Sequence, residues 1–263
     1  MSNGTFQKLY LQVSLQNFSY CVKNQLDNQI IQFQSFALDP FKTIEQQLDF
    51  FFDKEEALQK GFEDVLILHN NNLNTFVPTA LFDASALGSY LQYNTKVFPT
   101  DYFDYDSLPQ AQMENIYVPY VAFNNYLLDK FGSFDFQHIH TNLVQHFINK
   151  SANNGTKEFF VHVGSTHFEI VLIENKKLIF FNSYEYQTPE DFIYYILFVF
   201  EQLQLNPQEQ LIQLVGKLDK TSELYQIVYK FIQNVQLIDL HILAQTLSVT
   251  ENQLQEHYIL LQA

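Results

Sequence analysis

FFVHVGSTHFEIVLIE (Phe159–Glu174) is two alternating apolar runs joined by a short polar turn, and LYLQVSLQNFSYCVK (Leu9–Lys23) repeats that pattern near the start of the chain. Alternation of this kind marks strands with buried faces, and so short a polar link marks a hairpin. At an offset of 150 residues Phe18 falls on Phe168, Leu11 on Val161, Val13 on Val163 and Cys21 on Val171. A pattern that recurs at a fixed separation is the signature of a duplicated unit.

The likeness extends outward. QIIQFQSFAL (Gln29–Leu38) and KLIFFNSYEY (Lys177–Tyr186) read as third strands, with Ser35 against Ser183. Helices follow over Pro40–Asp53, with Ile44, Leu48 and Phe51 on one face, and over Thr188–Leu203, with Ile193, Leu197 and Phe200 at the same spacings. Thr188 and Pro189 suit the N-cap and first helical position. Each helix leads to an apolar strand, DVLIL (Asp64–Leu68) or LIQLV (Leu211–Val215). Between the copies, Val77–Asn94 reads as a strand end and a helix, and the Asp- and Tyr-rich PTDYFDYDSLPQ (Pro99–Gln110) as a turn-rich excursion or edge hairpin. NIYVPYV reads as a strand, AFNNYLLDKFG as a helix stopped by Gly132, SFDFQHIH as a strand, and TNLVQHFINKSA as a helix entered through Thr141. The loop-like SANNGTK (Ser151–Lys157) places a boundary between a first subdomain, residues 1–155, with an extra α/β insertion, and a second, 156–263. Helix Ser222–Gln233, strand Val235–Leu240 and a helix from about Thr250 complete the second.

Composition narrows the function classes. The chain has 263 residues, 47% hydrophobic and 16% charged, so a buried core is expected. Its net charge is −15, and all 14 basic residues are Lys. Arg, the bidentate clamp for phosphate and guanine, is absent, which excludes the basic footprint of a nucleic-acid binder. The longest apolar run, Phe192–Phe200, is too short for a bilayer span of about 20 residues, and MSNGTFQKLY lacks the pattern of a secretion signal. The expected location is cytoplasmic, without membrane insertion. The single cysteine, Cys21, allows no intramolecular disulfide and reads as a buried strand thiol.

Hairpin, third strand, helix, strand and helix, repeated twice, resembles the actin/Hsp70/sugar-kinase superfamily. The middle segment YVAFNNYLLDKFGSFDFQHIHTNLVQHF looks like the PilM and FtsA branch. VPYVAFNNYLLDKFGSF, NSYEYQTPEDFIYYILFVFEQL and LVGKLDKTSELY resemble an uncharacterised Bacteroidetes family, domain of unknown function number 3822, from about Leu9 to Leu240. The resemblance implies an α/β fold of two ribonuclease H-like repeats with mixed sheets. It also implies where chemistry would lie. In the superfamily's ATPases each hairpin turn carries Asp-x-Gly, the acid for the metal and the Gly for phosphate approach. Here the turns read Gln12-Val13-Ser14 and His162-Val163-Gly164. Gln12, Ser14, His162 and Gly164 are therefore degenerate phosphate-loop positions, since a neutral amide cannot replace a carboxylate on Mg²⁺. Gly216 in LIQLVGKLDKTSELY is the possible nucleotide turn, and one Gly after a strand is more often an ordinary turn.

Other constellations carry less. His138 and His140, alternating on a presumed strand, are the candidate metal ligands, with His146, His162 and His167 also noted, but no partner at fixed spacing completes a zinc set, and surface or capping roles are favoured. Ser133 and Ser165 lack the nucleophile elbow, and Asp101, Asp104 and Asp106 read as a solvated loop or a strand edge. No cofactor is expected. The expectation is a non-catalytic adaptor whose inter-repeat cleft takes a protein or peptide partner. The alternative is a divergent ATP-dependent enzyme drawing acids from Asp135 or Asp219.

Overall fold

A computed structural model describes residues 6–62, 64–98 and 100–263. The opening MSNGT and Pro99, where the Asp- and Tyr-rich segment begins, lie outside the described residues. The first repeat runs β1 (Gln7–Val13), β2 (Asn17–Asn24), β3 (Ile30–Ala37), α1 (Ile44–Lys54) and β4 (Asp64–His69). An insertion follows: β5 (Asn74–Pro78), α2 (Leu87–Leu91), β6 (Asp104–Leu108) and β7 (Met113–Tyr117). The repeat closes with α3 (Val121–Phe131), β8 (Asp135–His138) and α4 (Ile139–Lys150). The second repeat runs β9 (Lys157–Val163), β10 (His167–Glu174), β11 (Lys177–Glu185), α5 (Pro189–Gln202), β12 (Leu211–Gly216), α6 (Glu223–Phe231) and β13 (Asn234–Leu237). It ends in α7 (His241–Leu247), α8 (Glu251–Glu256) and α9 (Tyr258–Gln262).

Strand order is β3-β2-β1-β4-β8 in one sheet and β11-β10-β9-β12-β13 in the other, antiparallel in the hairpins and parallel beyond them. The expected offset of 150 holds through both hairpins: Val13 pairs with Phe18, and Val163 with Phe168. Even the irregularity recurs, between Val22 and Lys23 on β2 and between Leu172 and Ile173 on β10. The insertion forms its own sheet, β5-β7-β6, so the Asp- and Tyr-rich segment contributes the edge strand of a hairpin.

Local chemistry sets the boundaries. Thr188 and Asp191 form a reciprocal capping box at the start of α5, and Gly132, at φ 75°, ends α3. Helix α1 starts at Ile44 rather than Pro40. Asp39 holds the intervening residues in a turn, accepting Phe41 N at 3.0 Å, and Thr43 caps the helix by accepting Gln46 N. The expected strand SFDFQHIH stops at His138, whose ring Nδ1 accepts His140 N at 3.2 Å and starts α4 two residues before Thr141. His138 and His140 therefore do not alternate on one strand. Helix α7 had no counterpart in the sequence reading.

Alternation places three apolar layers. Leu9, Leu11 and Val13 face α1 and α3, and Phe159, Val161 and Val163 face α5 and α6. The intervening residues Tyr10 and Phe160 face a shared middle layer, which α4 and α9 fill. The helices are exchanged: α4, from the first repeat, lies on β10 and β11, while α9, from the second, lies on β1 and β2. We propose residues 155 and 156, in the loop between α4 and β9, as the division between the subdomains.

Phe147 on α4 is fully buried and stacks on Phe160 with centroids 4.4 Å apart. Phe147→Ala is expected to destabilise the protein by about 3–5 kcal/mol. Urea unfolding followed by tyrosine fluorescence and circular dichroism measures this, and a loss under about 1 kcal/mol would show that the middle layer does not hold the repeats together.

Candidate functional site between the repeats

Because β1 and β9 are equivalent, Gln12 and His162 sit at matching places on the inner faces of their sheets and both line one cavity of about 490 Å³. Its walls include the two hairpin turns, the Asn70–Asn72 run after β4, and α9 with Tyr258. Ser14, Gly164 and His140 also line it.

The turns are committed to their own structure. Ser14 Oγ accepts the backbone N–H groups of Asn17 at 2.8 Å and Gln16 at 3.2 Å, and donates to Asn17 O at 3.0 Å. The Gln16 and Asn17 amides are thereby satisfied inside the first loop. Gly164 N donates to His167 O at 2.9 Å, and a Cβ at Gly164 would stand 2.9 Å from that same oxygen, so the tight turn itself requires glycine. Gly216, at φ 106°, is required by a closer approach still: a Cβ there would lie 2.3 Å from Val163 O, and the following Lys217 N donates to that oxygen at 2.7 Å. Gly216 is not among the residues lining the cavity, whereas Lys217 is, with Nζ 3.2 Å from Ser165 Oγ.

Sequence reading missed the centre of the site. Glu169 on β10 is wholly buried, with His162 Nδ1 2.7 Å from Oε2 and both His140 Nε2 and His167 Nε2 3.4 Å from Oε1. Ser183 Oγ donates to Oε1 at 3.3 Å. Burial opposes the charge, but hydrogen bonds from His140 and His162 and the nearby His167 outweigh it and hold the carboxyl well below the usual glutamate range. Burial lowers His140, and Glu169 opposes that shift. The signal was a lone acid at an inward position of an apolar strand, opposite His162 in the β9–β10 register. In the first repeat the same place holds Ser19, hydrogen-bonded to Ser35 at 2.8 Å, so the Ser35–Ser183 match survives while its partner changes from Ser to Glu.

The remaining candidates disperse. His138 is fully buried, its Nε2 3.3 Å from Asn71 Oδ1, and burial and then the neighbouring His140 and His69 hold it well below the usual imidazole range. His146 meets the Tyr258 hydroxyl at 2.8 Å. Asp135 stands three residues before the cavity end of β8, and Asp219 caps its own loop by accepting Thr221 N and Ser222 N, so neither lines the cavity. Cys21 is buried, its thiol pushed up to about 12 by that burial. Asp106 lies on the edge strand β6, one of the two expected settings, but is 7% exposed and so not solvated there. Among the described residues, no group of three or more His, Cys, Asp or Glu is arranged to hold a metal ion, and no helix is long and apolar enough to cross a membrane.

Comparison with known proteins fits this geometry. A family profile described as "Protein of unknown function (DUF3822)" matches residues 1–235. Among solved structures, a Bacteroides thetaiotaomicron protein with actin-like ATPase fold and unknown function superposes with a TM-score of 0.81 at 21% identity, over 93% of this chain and 97% of the other. The PilM–PilN type IV pilus biogenesis complex gives a TM-score of 0.62 at 11% identity, over 98% of this chain and 97% of that one. No curated protein sequence matches. The fold is thus the actin-like arrangement of two ribonuclease H-like repeats.

Glu169→Gln keeps shape and removes the charge that three imidazoles surround. A loss of about 3 kcal/mol at pH 7 is expected. Glu169 has a depressed folded-state pKa, so its contribution is present above the unfolded value, about 4.3, and fades as pH falls through the folded value. The gap between wild type and variant should therefore narrow on acidification below about pH 4, and a gap independent of pH in chemical unfolding would show that Glu169 is not held as a carboxylate.

Proposed function

This chain belongs to the family matched over residues 1–235, and on its actin-like scaffold we propose a non-catalytic adaptor that takes a protein or peptide segment in or beside the inter-repeat cleft. One observation carries the reading: Gln12 and His162 stand where the superfamily's ATPases need acids, and His162 is already bound to Glu169 at 2.7 Å. A neutral amide and an occupied imidazole offer Mg²⁺ no carboxylate pair. The degenerate phosphate-loop positions are Gln12, Ser14, His162 and Gly164, and Gly216 serves the chain's own close packing.

Charge supports the same reading. Among the described residues lining the cleft, Glu169, Glu185 and Glu256 stand against one lysine, Lys217, a poor setting for a triphosphate and a suitable one for neutral or basic groups. Side-chain amides and hydroxyls such as Gln16, Asn70, Ser165 and Thr166 suit the hydrogen bonds of a peptide backbone. The PilM–PilN complex places a protein partner on a related fold. The reading gives the protein no cofactor, no nucleic-acid partner and a cytoplasmic place.

Thermal unfolding with millimolar ATP and Mg²⁺ tests it. A nucleotide at about 100 times its Kd would add about 2.7 kcal/mol of stability, several degrees in Tm. No shift is expected. A Mg²⁺-dependent rise would overturn the reading in favour of a surviving nucleotide site. In parallel, Ser165→Trp, placed to fill the cleft, should release a co-purifying protein that the wild type retains, and retention unchanged would remove the cleft as the partner's site.

A further inference from the structure

A second cavity, of about 330 Å³, is lined by β5 of the insertion and by β11 of the second repeat. Both are edge strands, β5 in the order β5-β7-β6 and β11 in the order β11-β10-β9-β12-β13. Each therefore has main-chain groups on one side that no neighbouring strand takes up. Asn72 lines both this groove and the inter-repeat cleft, and its Nδ2 stands 3.4 Å from Glu185 Oε1.

Antiparallel pairing alternates residue by residue, so one bond fixes the direction of the rest. Tyr186 N donates to Thr166 O, which turns Asn182 and Tyr184 toward β10 and leaves Phe181, Ser183 and Glu185 facing the open edge. Thr79 N donates to Gln112 O and Val118 N to Leu73 O, which turns Thr75 and Val77 toward β7 and leaves Asn74 and Phe76 facing outward. Pro78, with no N–H to offer, takes the next outward place, as proline does on an edge. Ser183 N is taken by the Oδ1 of its neighbour Asn182 at 3.0 Å. Among the described residues, no acceptor outside the ladders meets the N–H of Asn74, Phe76, Phe181 or Glu185.

The usual protections of an edge are sparse on β11. Between Lys177 and Glu185 it carries no charge and no proline. A bulge at Ile179, between the pairs Leu172–Phe180 and Ile173–Leu178, shortens the regular edge to Phe180–Glu185 without covering it.

We propose that this groove takes an extended segment of a protein partner as an added strand on β11, an inference that rests on the adaptor reading and locates the partner beside the cleft. A row of alternate N–H and C=O groups is matched by an extended backbone, whereas a helix has spent its own groups internally. Among the described residues none that lines the groove is charged, and the rings of Phe76 and Phe181 meet there at 4.8 Å, so the segment's side chains in the groove are uncharged. Where β11 ends at the cleft, Glu185 is exposed, and a lysine or arginine on the segment answers it.

A phage-displayed library of random peptides, panned on the full chain, is the probe. Enriched peptides should carry a lysine or arginine at one end of an uncharged run, and in hydrogen-exchange NMR they should slow the amides of Phe181 and Glu185. Glu185→Lys alters an exposed side chain, so the variant should fold, and it should weaken these peptides about tenfold. Methylating alternate backbone nitrogens of an enriched peptide should abolish binding in one phase, as a strand bonded along its edge requires. Peptides that slow amides in the Ser14–Asn17 or Gly164–His167 turn and not those of Phe181 and Glu185 would overturn the groove and leave the cleft as the partner's site. Binding indifferent to Glu185→Lys, or to methylation in both phases, would overturn the added strand. A library from which no peptide enriches would overturn the adaptor reading with it.

Discussion

The shared middle layer is what the rest of the molecule depends on. Each sheet has one face covered by its own helices and one face that would otherwise meet water. Exchange of α4 and α9 across the repeats buries both inner faces at once, with Tyr10 and Cys21 on one side and Phe160 and Val171 on the other. Apolar burial of this kind is the dominant favourable contribution to folding. It explains why neither repeat is complete by itself: each inner face is covered by a helix contributed by the other. The cavity exists where the apolar layer gives way to polar groups, at the hairpin ends of the strands.

Much of this was legible because it rests on short-range patterns. The alternation in Leu9–Lys23 and Phe159–Glu174 dictated which residues face inward, and a fixed offset of 150 carried register as well as identity. The two hairpin turns were legible for the same reason, since Ser14 and Gly164 bond within a few residues of themselves. What sequence spacing does not contain is the approach of Asn74, His140 and Glu169, which come from three elements of two repeats. The segment ending in His138 and His140 looked like a strand because alternation continues through it, but a ring nitrogen at His138 captures the His140 amide and starts a helix. A side chain competing with the ladder for a backbone hydrogen bond defeats periodicity.

The duplication also shows where the repeats stopped being equivalent. Ser19 and Glu169 occupy one structural place, as do Ser35 and Ser183. In the first repeat the pair is two hydroxyls, neutral and self-sufficient. In the second, a buried carboxylate draws in His140, His162 and His167, and His140 ties it to the insertion that the second repeat lacks. The divergence is correlated: the charge appears in the half that faces the first repeat's added sheet.

That correlation bears on which residue types position 162 can hold. A buried carboxylate without partners is strongly unfavourable, so Glu169 stays only while the imidazoles remain in place. His162 can partner it only because it is not an aspartate. An acid at that position would set two carboxylates side by side in a dry site, where one would have to take up a proton. An aspartate at position 162 and an ionised Glu169 are therefore incompatible. His162 is held at its place by its bond to Glu169, so the hairpin end of the second repeat and the floor of the cleft are fixed by one buried contact.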